Sequence, residues 1–510
     1  MFINNSFKKV SFFLSERSNR NIISSIFTKI FVSFIALIFV PIYVSIIGLD
    51  YFGIIAIFTI VSSIFGIFDL GISNSLNRLI AVNIEDSSSL SKLINQTKAL
   101  EILYWMIGLA LTLIFISLSG FIANQLAASE TFSPQRMHYI IIIFAILFFI
   151  QWPTNFYSAG LYGLQRHSLL NFSNVAMLLL RNFLGLAYLR FYDNSIEGFL
   201  IWQCIGYSIW AFVLFIIFHR ILPKSNIKFK FSFNLIRELI PFAKGLFFIS
   251  IFTVLITQFD KIVLSKLIPI EQLGIYGISA IAASTVQYYA AGFYTAMFPK
   301  FSSLSSASHK EELKYLFNKV TLICSVLTFS TMSVFIFYSS ELIYLWTKNS
   351  EIVDSSRNII IILTIGTALH SQSNLFLALQ LSKKEISIPI YKNMIMLALL
   401  LPTSIFFIRN YGVIGAAMSW LSVSTLTFIF EPIFTYNKLL GKNFNLWLIS
   451  SSLAPLLSSL LIVFLLSNIT FYSSNQFLIL LQVLIVFLSS LIGSFYISSK
   501  LKFFLMNHRH

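Results

Sequence analysis

In a strongly apolar chain, charged residues inside apolar runs are the first candidates for chemistry. Asp69 lies in FGIFDLGISNSLNRL (residues 65–79), and Arg78 follows nine positions later. Ser62, Gly66, Asp69, Ser73 and Asn77 recur every three or four residues. That is the spacing of neighbours on one helical face, so a small and polar stripe is expected there. Nine residues at about 100° each put Arg78 half a turn out of phase. It is expected at the mouth of the helix, not in an intrahelical pair. Asn174 and Arg181 are seven apart and share a face, with Asn171 and Gly185 close to that line. Ser250, Thr253, Thr257 and Asp260 make a third stripe, with Lys261 adjoining one end and Lys244 opening the other.

A guanidinium binds phosphate oxygens with a planar fork and keeps its proton. Asp69 and Asp260 accept hydrogen bonds only when ionised, so they could carry a proton or sodium ion that drives a cycle. Each residue also has a plainer role open to it. Asp69 could fix helix packing, Arg181 could pair with an acidic side chain, and Lys244 and Lys261 could snorkel from near an interface. Glu101, Glu341 and Glu431 fall near span ends and are expected at the interface.

The elements that must position these groups follow from composition. Of 510 residues, 57% are hydrophobic and 11% charged, with a mean hydropathy of +0.84. Soluble domains carry about 25% charged residues, so a water-soluble surface is excluded. Apolar runs of about 20 residues, enough for a helix to cross a bilayer, recur throughout. They are continuous and not of alternating polarity, which excludes a β-barrel. The expected fold is all-α and polytopic. Fourteen spans are read, at 24–47, 53–76, 100–123, 139–162, 169–189, 198–218, 239–259, 273–297, 318–340, 358–380, 386–408, 412–435, 446–467 and 476–498. The first is expected to stay as an anchor, since it is too long for a signal peptide and no small-residue cleavage site follows it.

Of the 35 Lys and Arg residues, 26 fall on the side of the two termini, 7 on the other and 2 within spans. By the positive-inside rule, both termini are expected in the cytoplasm. The net charge of +16 is thereby spread over cytoplasmic loops facing anionic headgroups, and nucleic acid is not an expected partner. Neither a P-loop nor a Gly-rich dinucleotide motif occurs. The two cysteines, Cys204 and Cys324, lie in apolar runs and offer no disulfide framework or metal cluster. No cofactor is expected beyond a coupling H+ or Na+, and the protein is not expected to be an enzyme.

The chain also repeats itself. IGLDYFGIIAI (47–57) matches IPIEQLGIYGI (268–278), LYGLQ (161–165) matches FLALQ (376–380), and EGFLIWQCIGYSIW (197–210) matches YGVIGAAMSWLSVS (411–424). The offsets are 221, 215 and 214 residues, which points to two parallel halves of six helices with two helices appended. Transporters built from such repeats bind substrate between the halves and alternate access by rocking them. The expected divisions are a cytoplasmic segment (1–23), an N-lobe (24–219), a basic linker (220–238), a C-lobe (239–436), and two extra helices with a tail (437–510).

GLDYFGIIAIFTIVSSIFGIFDLGISNSLNRLIA (48–81) and QFDKIVLSKLIPIEQLGIYGISA (258–280) resemble the two half-signatures of polysaccharide transporters in the multidrug/oligosaccharidyl-lipid/polysaccharide exporter superfamily. SAGLYGLQRHSLLN (158–171) and YGVIGAAMSW (411–420) fit the same pattern. The resemblance implies a Wzx-type O-antigen flippase of the bacterial inner membrane, moving an undecaprenyl-pyrophosphate-linked oligosaccharide between leaflets. It implies two six-helix lobes in a V around a cationic cavity. Arg181, Arg78, Lys244, Lys261 and Asn174 would then face substrate, and Asp69 and Asp260 would serve ion coupling, with no catalytic or metal-binding residue. Membrane lipid, a polysaccharide polymerase and a chain-length regulator are the implied partners. Fourteen spans exceed the twelve of many O-antigen flippases, and a groove for the polyprenyl tail is one role for the last two. A drug/cation antiporter of the same superfamily and a membrane-embedded O-antigen polymerase are the alternatives. The first would favour acidic, aromatic-lined pockets and the second a sizeable periplasmic loop.

Overall fold

Lipid offers the backbone no hydrogen-bond partner, so continuous apolar runs must satisfy it internally as helices. The structure, a computed structural model, describes residues 28, 31–32, 35, 38–83, 90–126, 133–223, 240–305, 309–383, 385–468 and 475–507. Among them there is no β-strand. The helices are α1 (Ile38–Ile47), α2 (Leu49–Ile67), α3 (Ile72–Asn83), α4 (Leu90–Leu126), α5 (Pro134–Gly163), α6 (His167–Phe191), α7 (Ile196–Ile221), α8 (Ile240–Leu267) and α9 (Ile270–Ser303). There follow α10 (Lys310–Phe337), α11 (Ser339–Thr347), α12 (Ser350–Ser371), α13 (Ser373–Ser382), α14 (Ser387–Leu439), α15 (Phe444–Ser467) and α16 (Gln476–Asn507). Among the described residues nine helices are long and apolar enough to cross a membrane. The chain is an all-α multi-pass membrane protein.

Several expected spans differ in form. The second, 53–76, is not one helix. It breaks between Ile67 and Ile72, where Leu70 and Gly71 take φ of 50° and 72°. The eleventh and twelfth form one long element, α14, whose two arms are joined at Gly412 (φ 57°, ψ −132°). That conformation is left-handed and suits a residue without Cβ, which is why so short a turn works. Of span 24–47 only 28, 31–32, 35 and 38–47 are described, and linker 220–238 lies largely outside the described residues.

By packing, Tyr43–Gly274 form one compact unit, and Ile275–His510 form another with the described residues of 29–42. In the first, aromatic side chains dominate the core. Tyr104 stacks on Trp152 with ring centroids 4.7 Å apart, the Trp152 indole donates to the Tyr104 carbonyl at 2.9 Å, and Phe156, Tyr157 and Phe218 pack around them. In the second, Phe317, Phe376, Tyr436 and Trp447 form the equivalent cluster. Small hydroxyls fix the last two helices onto α10. Ser459 of α15 meets Ser333 at 3.1 Å, and Ser490 of α16 meets Ser330 at 3.0 Å. Small residues allow close helix approach where lipid supplies no hydrophobic drive.

Candidate functional site

Arg181 is the fifteenth of the 25 residues of α6, near the middle of a helix long and apolar enough to cross a membrane. A cation midway along such a helix costs about 3 kcal/mol on insertion scales, and the surroundings recover part of it. The guanidinium carbon lies 4.1 Å from the centroid of the Tyr207 ring on α7, a cation–π contact worth about 0.5–2 kcal/mol. Gly206 makes the approach feasible, because a Cβ there would fall 2.6 Å from Arg181 Cγ. The Trp202 indole donates to the Arg181 carbonyl at 2.8 Å. The Tyr43 hydroxyl, a further electrostatic neighbour of Arg181, donates to Asn182 Oδ1 at 3.0 Å. The Arg181 Nε is buried and has no hydrogen-bond partner. Among the described residues no carboxylate pairs with this arginine. Arg136 is the contrast, since it forks onto Glu197 at 2.7 and 3.0 Å.

Asp69 occupies the break between α2 and α3. Its carboxylate accepts from the Ser73 hydroxyl at 2.5 Å and from the Ser73 amide at 3.4 Å. It therefore terminates α3 at the end where an anion is favoured by the exposed N–H groups. The helical stripe expected from Ser62 to Asn77 is corrected here, because the turn at 68–71 resets the phase. The Tyr104 hydroxyl neighbours this carboxylate. Non-helical backbone at membrane depth is tolerated only inside protein or along a wet cavity.

Asp260 is buried on α8, and its Oδ1 accepts the Lys261 amide at 2.8 Å. Lys261 Nζ reaches Gln258 Oε1 at 3.3 Å. Asn174 is exposed on α6, whereas Asn171 and Asn182 on the same helix are buried. Arg78 lies on α3 and Lys244 on α8, and their side chains fall outside those described. No ion pair among the described residues links Asp69 to Arg181.

Two acidic residues expected at the interface are instead packed. Glu101 accepts from the Tyr157 hydroxyl at 2.8 Å and meets His219 Nε2 at 3.4 Å. Glu431 is only 5% exposed. It pairs with Lys392 Nζ at 3.2 Å and accepts from Ser373 Oγ at 2.5 Å and Gln380 Nε2 at 3.1 Å. Outside the spans, Lys438 at 2.8 Å from Glu385, helped by the Ser387 hydroxyl, holds the Glu385 carboxyl below its ordinary range.

This is a helical membrane site in which, among the described residues, the Arg181 guanidinium meets no carboxylate. Residues 18–305 match the family described as polysaccharide biosynthesis protein. The chain belongs to that family. It is similar to a candidate O-antigen transporter of Shigella flexneri, at 23% identity over 410 residues, covering 79% of this chain and 93% of the relative. Among solved structures, a lipid II flippase, MurJ, in an inward closed conformation aligns with a TM-score of 0.64 at 18% identity, covering 92% of this chain and 97% of that one. An inward-facing multidrug resistance MATE family transporter aligns with a TM-score of 0.65 at 12% identity, covering 79% and 94%. Those two likenesses establish the shared fold. Together with the family match they bear out the superfamily resemblance read from the signatures.

In this polysaccharide-family chain, sequence reasoning missed Tyr207, Gly206 and Trp202 as the setting of Arg181. Their signal was present in EGFLIWQCIGYSIW, a helix mixing small and aromatic residues. It also missed Lys392, Gln380 and Ser373 around Glu431. Ser373 and Gln380 lie seven apart on α13 and Lys392 on the first arm of α14, so no single-helix period joins all three.

Proposed function

We propose that the protein is a flippase that moves an undecaprenyl-pyrophosphate-linked oligosaccharide, an O-antigen repeat unit, across the bacterial inner membrane by alternating access. The observation that carries this reading is the unpaired Arg181 guanidinium, held on Tyr207 near the middle of α6. A sugar-pyrophosphate headgroup is too polar to enter hydrocarbon unaided. A fixed guanidinium offers its phosphate oxygens a charge-assisted fork in place of water. Family membership and the O-antigen transporter relative support the same substrate class.

Asn174, Arg78, Lys244 and Lys261 are the further proposed substrate contacts. Asp69 and Asp260 are the proposed coupling carboxylates, exchanging H+ or Na+. Asp69 suits that role because the broken helix around it can repack as its charge changes. Both termini are placed in the cytoplasm by charge bias, and a polysaccharide polymerase and chain-length regulator are the proposed partners. A drug/cation antiporter would need an anionic pocket, and an Arg181 guanidinium with no carboxylate partner among the described residues argues against one. A polymerase would need an assembled catalytic set, which the surroundings of Arg181 do not supply.

The test is complementation of a flippase-deletion strain, with surface polysaccharide as the readout. Arg181→Ala is expected to insert normally and export nothing, while Arg181→Lys keeps partial export. Wild-type polysaccharide with Arg181→Ala would overturn the reading, as would drug resistance conferred without polysaccharide export.

A further inference from the structure

The two arms of α14 touch near their turn and part away from it. The Ser419 hydroxyl lies 2.8 Å from that of Ser404 and 3.1 Å from that of Thr403. A Cβ on Gly415 would fall 2.0 Å from the Phe407 carbonyl oxygen. Beyond this contact a cleft of about 980 Å3 opens between the arms. Tyr391, Ile395 and Leu399 line one wall, and Leu426, Phe430 and Phe434 the other. The bonded Lys392 and Glu431 also line it and bridge the arms at 3.2 Å. The apolar walls therefore have a sealed polar back and not a loose charge.

The end remote from the turn is different in chemistry. Ser387, Asn437 and Lys438 form it, and the Lys438 side chain is 54% exposed although it contacts Glu385. Among the charged side chains that line the cleft, Lys392 and Glu431 neutralise each other and Lys438 leaves this rim positive, on the side that charge bias assigns to the cytoplasm. From Ser387 to Leu399 is twelve residues, or about 18 Å of helix. That is roughly one leaflet of a hydrocarbon core about 30 Å thick.

A cleft one leaflet deep, apolar along its length and cationic at its interfacial end, has the shape and polarity of a single anionic amphiphile. Basic pockets between helices on the cytoplasmic side are suited to anionic headgroups. Left empty, the facing aromatic walls would lose dispersion contacts. A long polyprenyl chain would overrun the cleft, whereas one acyl chain fits its depth. We propose that the cleft of α14 binds one anionic phospholipid of the inner leaflet, with an acyl chain between the arms and the phosphate at Lys438. The site lies within the second unit and does not depend on what the protein exports.

The test is native mass spectrometry of the delipidated full-length chain, titrated with dioleoyl phosphatidylglycerol. Leu426→Trp and Leu399→Trp fill the cleft from opposite walls, and each is expected to weaken the first lipid-binding step by about tenfold. Lys438→Gln is expected to weaken it by about fivefold, the worth of one interfacial cation. Dioleoyl phosphatidylcholine is expected to bind the wild type more weakly than phosphatidylglycerol. Unchanged phosphatidylglycerol binding in both tryptophan variants, at wild-type melting temperature, would overturn the proposal. So would equal affinity for the two lipids, or displacement of phosphatidylglycerol by undecaprenyl phosphate but not by cardiolipin.

Discussion

Arg181 and Glu431 are both charges held within helices of a membrane protein, yet their surroundings are opposite. Glu431 is saturated, receiving a lysine, a serine and a glutamine from neighbouring helices. Arg181 has an aromatic face and a buried Nε with no acceptor. A saturated buried pair is an arrangement that holds helices in register. A cation left without its anion is an arrangement that waits for one. The contrast separates packing from binding where residue type alone does not.

The comparison can be broken by melting the purified protein in detergent alongside the export assay. The largest loss is expected for Glu431→Ala, about 3–5 kcal/mol, because Lys392 stays buried without its partner. The double change Lys392→Met with Glu431→Leu should be milder, since both charges leave together. If the double variant melts lower than Glu431→Ala, the pair is not what destabilises the single one.

Gly206→Leu comes next, at about 1–3 kcal/mol from overpacking. It also drives Arg181 off the Tyr207 ring, so export should fall with stability. Arg181→Ala should cost less, about 0.5–2 kcal/mol for the lost cation–π contact, while export is abolished. A melting loss as large as that of Glu431→Ala would make Arg181 a structural residue and erase the contrast.

The smallest effect is expected at the partly exposed Glu385, where Glu385→Gln should lower the melting temperature only marginally at neutral pH. Its folded carboxyl is held below the ordinary value of about 4.5. The contact with Lys438 is therefore present above that value and lost as pH falls through the lower, folded one. A melting curve that responds to Glu385→Gln only at acid pH, and not near neutral pH, would contradict this sign.

The helix layout was legible because length and continuous apolarity suffice to call a membrane helix. The residues around Asp69 show where that reading stopped. Periodicity assumed one helix from 53 to 76, but the left-handed Leu70 and Gly71 interrupt it. A stripe counted across such a turn has no common face. Glu431 was misplaced for a related reason. Its nearness to a span end suggested the interface, whereas Lys392 reaches it from 39 residues away only because α14 folds back at Gly412.

The sequence by itself determined the class of this protein, its all-helical membrane-spanning character and the place of Arg181 within an apolar helix, since these depend on hydropathy and position along a single helix. Only the tertiary structure decided which charges are neutralised. Neutralisation depends on side chains brought together from distant helices, and the period of one helix carries no record of its neighbours.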